Sequence, residues 1–144
     1  MLIYDIEIKK AICGKNEERI PGVEYCEGWH DHKGMGISVI GAYDSVEDRY
    51  RVFTKDNQGE FRLLVNNRNT FIGFNNFGFD NKVINACWGI EIPETKCYDI
   101  LREIWVADGL SPVFNYKTHG GYSLDACCEV NFNISKTSHG ARAP

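Results

Sequence analysis

The first eight residues, Met1-Leu2-Ile3-Tyr4-Asp5-Ile6-Glu7-Ile8, constrain the fold more than any other stretch. In an extended strand side chains alternate faces, so Leu2, Tyr4, Ile6 and Ile8 share one face, and Ile3, Asp5 and Glu7 the other. The run otherwise reads as the middle of a buried sheet. Two carboxylates that point the same way, on a strand flanked by apolar residues, each raise the other's pKa unless a cation neutralises them. A hard divalent ion with oxygen ligands is the simplest remedy. An edge strand with one solvated face would carry the same pattern with no chemistry attached. On this stretch alone both readings stay open.

The chain of 144 residues is one domain's worth, enough for a single core. Hydrophobic content of 43% and charged content of 25% are those of a globular protein, which sets aside disordered and fibrous classes. No apolar run approaches the length of a bilayer span, and the N-terminus lacks a basic region followed by a long apolar core. A soluble, cytoplasmic protein with no membrane partner is expected. The six cysteines (Cys13, Cys26, Cys87, Cys97, Cys127, Cys128) are expected as reduced thiols, three of them in segments that read as core helix or strand. A net charge of -4 argues against a broad polyanion-binding surface. Any nucleic-acid contact must be local.

Lys9 to Lys33, rich in Lys, Glu, Gly and Asp and broken by Pro21-Gly22, reads as a long insertion over residues 9–34. Its Cys26, His30 and His32 have a spacing that could ligate zinc, but there is no CxxC pair and zinc is not expected. Met35–Tyr43 and Tyr50–Thr54 read as strands of an antiparallel hairpin joined by a short polar turn. Asp56 and Asn57 are candidate caps for a helix running to about Asn67, with Phe61, Leu64 and Val65 on its apolar face. Thr70–Phe74 is a short strand of the kind buried on both faces.

The second informative stretch is Gly73-Phe74-Asn75-Asn76-Phe77-Gly78-Phe79-Asp80-Asn81-Lys82-Val83-Ile84, where strand becomes helix. The helix should run to about Trp88 with Val83, Ile84 and Cys87 at core spacing, and a carboxylate at Asp80 is favoured by the helix dipole. Read locally, Asn76 caps the helix and Asp80 does no more than support its first turn.

An Asp-x-Glu strand, an antiparallel hairpin, a helix, a strand and then Asn-x-x-Phe-Asp at a strand-to-helix junction resemble the DnaQ-like (DEDD) 3′-5′ exonucleases of the ribonuclease-H-like fold. Asp5 and Glu7 match the first motif, and Asn76, Phe79 and Asp80 the second. The resemblance implies an α/β fold with a ribonuclease-H-like mixed sheet of about five strands, the first three antiparallel, flanked by helices. It implies removal of nucleotides from DNA or RNA 3′ ends with two Mg²⁺ or Mn²⁺ ions. Asp5, Glu7 and Asp80 would be catalytic and bind the metals; Ile6, Ile8, Asn76 and Phe79 would lie near the terminal nucleotide of a single strand. Two such ions activate a water and stabilise the leaving oxygen of an in-line displacement, which needs carboxylates on rigid elements.

Cys97–Ala107 reads as a short strand leading into a helix, with Asp99 as its cap. A further helix starts at Ser123, with Leu124, Cys127 and Cys128 inward. The family's third motif, a Tyr or His shortly before a last Asp, is not found: no Asp or Glu follows Glu129, and His139 has no acid beyond it. The domain is therefore expected to be incomplete at its C-terminal end, and activity impaired. Three readings remain open: a nuclease whose last helix lies outside this chain, an inactive relative that binds nucleic acid or a protein partner, and an unrelated α/β binding domain. In the first two, a second copy or a partner chain would cover the apolar surface of the absent helix. Lys9, Lys10, Lys117, His119, Lys136 and Arg142 could guide a strand, with Tyr116 and Tyr122 available to stack on bases; each is equally an ordinary surface residue.

Overall fold

The computed structural model describes residues 1–137; His139 and Arg142 lie outside the described residues. By its internal contacts the chain forms two compact units, Met1–Ile100 and the segment from Leu101 onward.

The first unit is built on strand β1 (Leu2–Ile8), whose alternation is as expected: Leu2, Tyr4 and Ile6 are buried, Ile3, Asp5 and Glu7 exposed. Strand β2 (Ile37–Asp44) pairs antiparallel with β1, and β3 (Arg49–Phe53) antiparallel with β2. Strands β4 (Phe71–Gly73) and β5 (Cys97–Asp99) add in parallel on the other side, giving the order β3-β2-β1-β4-β5. This is an α/β fold whose five-stranded mixed sheet, with its first three strands antiparallel, is consistent with a ribonuclease-H-like arrangement.

Helix α2 (Gln58–Asn67) buries Phe61, Leu64 and Val65, and α3 (Asp80–Trp88) buries Val83, Ile84 and Trp88, each set at the three-and-four spacing of one helix face. They join Leu2, Tyr4, Ile6, Ile40, Phe53 and Phe71 in a single core. Phe61 is its centre, with ring centroids 5.2 Å from Phe53, 6.1 Å from Trp88 and 6.4 Å from Tyr4. The other face of the sheet carries a row across all five strands, Tyr98, Ile72, Ile3, Tyr43 and Tyr50, in register with one another. Tyr98, Ile3 and Tyr50 of that row are exposed.

Several local expectations shift. Met35 closes a short helix, α1 (His32–Met35), and β2 starts only at Ile37, because Gly36 takes a positive φ of 63° that breaks the strand. The cap before α2 is Thr54, whose Oγ1 accepts from Asp56 N–H while Asn57 returns a bond to Thr54 N–H; the box closes a 3₁₀ turn at Lys55–Asn57 that leads into the helix.

In the second unit, helix α4 (Ile100–Ala107) buries Leu101 and Trp105. Trp105 meets the buried His119 edge-on at 4.6 Å, and His119 Nε2 lies 2.8 Å from the carbonyl of Ser111. Helix α5 (Leu124–Phe132) is capped by Ser123, as expected, yet none of its residues is buried. Leu124 is exposed and Cys127 and Cys128 are half-buried, so the inward set expected there is not formed: the helix has little apolar asymmetry to direct it.

Candidate active site

β4 pairs with β1 only at Leu2 and Ile3, so from Asp5 onward β1 has no described strand beside it on that side. The N-terminus of α3 enters there. Asp80, 5% exposed, places Oδ1 3.2 Å from the N–H of Ile6, which donates to it. The backbone group that lies between Asp5 and Glu7 therefore holds the third carboxylate. Asp5 is close enough for its charge to act on Asp80: the Asp80 carboxyl is pushed up to about 7, first by burial and then by Asp5. Its own N–H and that of Ile6 oppose the rise, and Asp99 adds to it. Among the described residues no ion pair includes Asp80.

Glu7 shares the exposed face of β1 with Asp5, immediately before a register shift between Glu7 and Ile8 in the pairing with β2. Bulges of this kind re-aim side chains beside functional sites. Among the described residues, no three His, Cys, Asp or Glu side chains are grouped closely enough to hold a metal ion. Cys26, considered above with His30 and His32, instead turns its thiol to the carbonyls of Ala11 and Gly28.

The remaining candidates separate by burial. The Ile6 side chain is in the core, so only its backbone faces the site; Ile8 is half-buried against the core. Asn76 is wholly buried: its Nδ2 donates to Tyr4 Oη at 3.2 Å and its Oδ1 accepts from Phe77 N–H at 3.1 Å. It does not cap α3, whose first flanking residue is Phe79 with no side-chain cap. Tyr4 Oη in turn donates to Asn81 Oδ1, and Asn81 Nδ2 reaches Cys97 Sγ at 3.6 Å. Burial pushes the Tyr4 hydroxyl above its ordinary pKa, so it remains a donor at any ordinary pH. Phe79 is half-buried and meets Trp29 of the insertion edge-on, ring centroids 6.1 Å apart.

Asp99 has a larger part than a helix cap. It stands beside Gly73 in the β4–β5 pairing, 3% exposed, and its two oxygens accept from the N–H groups of Asn75 (2.8 Å) and Phe77 (3.2 Å). The loop it holds is tight: Asn75 sits at φ 63°, and a Cβ on Gly73 would lie 2.8 Å from that of Asn76, closer than real contacts allow. Asp99 thus fixes the loop that delivers Asp80. Its place at the carboxyl end of a parallel strand, where open α/β sheets put their sites, was the available sequence signal.

The fold and site define an α/β domain with acidic residues converging where the central strand outlasts its parallel neighbour. No family model matches the chain, and no curated protein matches it.

Proposed function

We propose that this domain is a metal-dependent 3′-5′ exonuclease of the DnaQ-like kind, acting on DNA or RNA ends by phosphodiester hydrolysis. The observation that carries the reading is the placement of Asp80 on the Ile6 N–H, beside Asp5, with no cationic side chain of the described residues paired to it. The donors available, carboxylate oxygens of Asp5, Glu7 and Asp80, suit Mg²⁺ or Mn²⁺ rather than a soft ion. Asp5 and Glu7 are exposed on one face of β1, so their oxygens are open to a cation that enters beside Asp80. Such an ion, when bound, would supply charge stabilisation for the phosphoryl transfer and a more acidic water. The chain's own part is to hold Asp80 rigidly, through Ile6 on one side and the Asp99-braced loop on the other.

A second reading, binding of a nucleic-acid end without cleavage, is favoured by the absence of a three-residue metal group among the described residues. Calorimetric titration of Mn²⁺ and Mg²⁺ into wild type, Asp5→Asn and Asp80→Asn, followed by incubation with an end-labelled single strand, separates the two. Metal binding lost in both variants with shortening from the 3′ end supports the nuclease. A strand that is bound but left intact supports the binding-only domain, and metal binding indifferent to both substitutions sinks the nuclease reading.

A further inference from the structure

Trp29 is 68% exposed, yet the turn that carries it is well anchored. Three residues before it, Cys26 is buried, with Sγ 3.5 Å from Ala11 O and 3.6 Å from Gly28 O. Two residues after it, Asp31 accepts from the N–H groups of Glu27 (3.0 Å) and Gly34 (2.9 Å), bonds that hold its carboxyl below the usual range, and its own N–H donates to Gly28 O at 3.0 Å. The helix that follows is tied to α3, where the Cys87 thiol reaches His32 O at 3.4 Å. The turn is therefore fixed to the same helix that begins with Asp80.

Its indole stands at 67° to the ring of Phe79, the residue immediately before Asp80. That contact covers only part of the indole. A mostly exposed aromatic on an anchored turn, in ring contact with the residue that precedes Asp80, has the makings of a stacking platform, because every nucleobase offers a π face and a Trp whose backbone is held in place loses little entropy on using it.

We propose that Trp29 stacks on a base of a single strand whose 3′ end lies at the Asp5–Asp80 site, which makes the 9–34 insertion the substrate-gripping element of this domain. This rests on the nuclease reading of the site, or on its binding-only form. The grip is tolerant of sequence and tighter for purines, whose larger rings overlap the indole more. It also ties end recognition to the loop rather than to a wide basic surface, in keeping with a net charge of -4.

The test is the affinity of fluorescein-labelled oligothymidylate and oligoadenylate, with Ca²⁺ present to prevent cleavage, for wild type, Trp29→Ala and Trp29→Phe. Trp29→Ala should weaken binding by about 5- to 150-fold, and Trp29→Phe much less. Calorimetric Mn²⁺ binding should be unchanged in both. Unlabelled oligonucleotide should quench wild-type indole fluorescence, and the quench should vanish in Trp29→Phe, where only the buried Trp88 and Trp105 remain. Equal affinities with a quench that survives in Trp29→Phe would overturn the role of Trp29 and leave the nuclease reading standing. A wild type that binds no oligonucleotide, with Mn²⁺ binding indifferent to Asp5→Asn, overturns both together.

Discussion

Asp44 and Asp80 are both buried aspartates on the same five-stranded scaffold, and they have opposite chemistry. Asp44, at the end of β2, receives two bonds from Arg68, Nη2 at 2.6 Å and Nε at 2.9 Å, and a third from Val46 N–H. The guanidinium holds its carboxyl down at about 2, so it is an anion at any ordinary pH. Asp80 receives backbone N–H groups only, lies near Asp5 and Asp99, and is pushed up to about 7. One buried carboxylate has its cation built into the chain; the other sits among acids. The first arrangement joins β2 to the segment after α2 and is complete as it stands. The second leaves its carboxyl with no cation from the described residues, and this is the feature on which the proposed metal site rests.

The comparison breaks most visibly at Arg68. Arg68→Ala leaves Asp44 buried without its partner and should cost about 3–5 kcal/mol in urea denaturation at neutral pH. A loss under about 1 kcal/mol would mean that water or another group takes over the carboxylate.

The Asp80 side is sharpened by pH. Its folded pKa is raised, so between pH ~4 and ~7 the folded state keeps a proton that the unfolded chain has released, and stability falls as pH rises through that window. Asp80→Asn lacks this loss. Relative to wild type it should gain on the order of 4 kcal/mol between pH 4 and pH 8, and parallel stability curves would refute the shift. Asp44 has the reverse sign: its contribution is present above the ordinary carboxylate range and is lost as pH falls toward 2.

Mn²⁺ at about a hundredfold over its dissociation constant should stabilise wild type by roughly 2.7 kcal/mol at pH 7.5, and Asp80→Asn much less, read as a melting shift. An equal shift in both proteins would place the ion elsewhere.

Asp99→Asn should cost about 1–3 kcal/mol, since an amide can accept only one of the two loop N–H groups as well as a carboxylate does. Hydrogen exchange should quicken at Asn75 and Phe77 before it does in the strands, and uniform protection would make the brace unimportant. At the small end, Lys136→Ala removes an exposed pair with Asp125 and should change stability by under about 0.5 kcal/mol.

Much of the scaffold was legible in the chain. Leu2, Tyr4 and Ile6 against Ile3, Asp5 and Glu7 follow from the two-residue period of a strand, and Val83 and Ile84 from the period of a helix, while Cys87, expected with them, is only partly buried and Trp88 is the further buried residue of that helix. Asn76 was legible as a special position but not in its role, because the hydroxyl it binds belongs to Tyr4, on another element. Asp99 reads locally as a cap; that it braces Asn75 and Phe77 depends on β5 lying next to β4. The inward face expected of α5 failed for the converse reason. Spacing says which residues share a face, and only neighbours in space say whether that face is covered.

What the sequence by itself determined is the type of each main element and which side chains share its faces, because both arise from backbone geometry over a few residues. The tertiary structure alone decided that Asp80 meets the Ile6 N–H across 74 residues of chain, and that Asp44 meets Arg68 while Asp80 lies within reach of the charge of Asp5. Burial and through-space charge set the proton affinity of a carboxylate, and neither has any local signature in the order of residues.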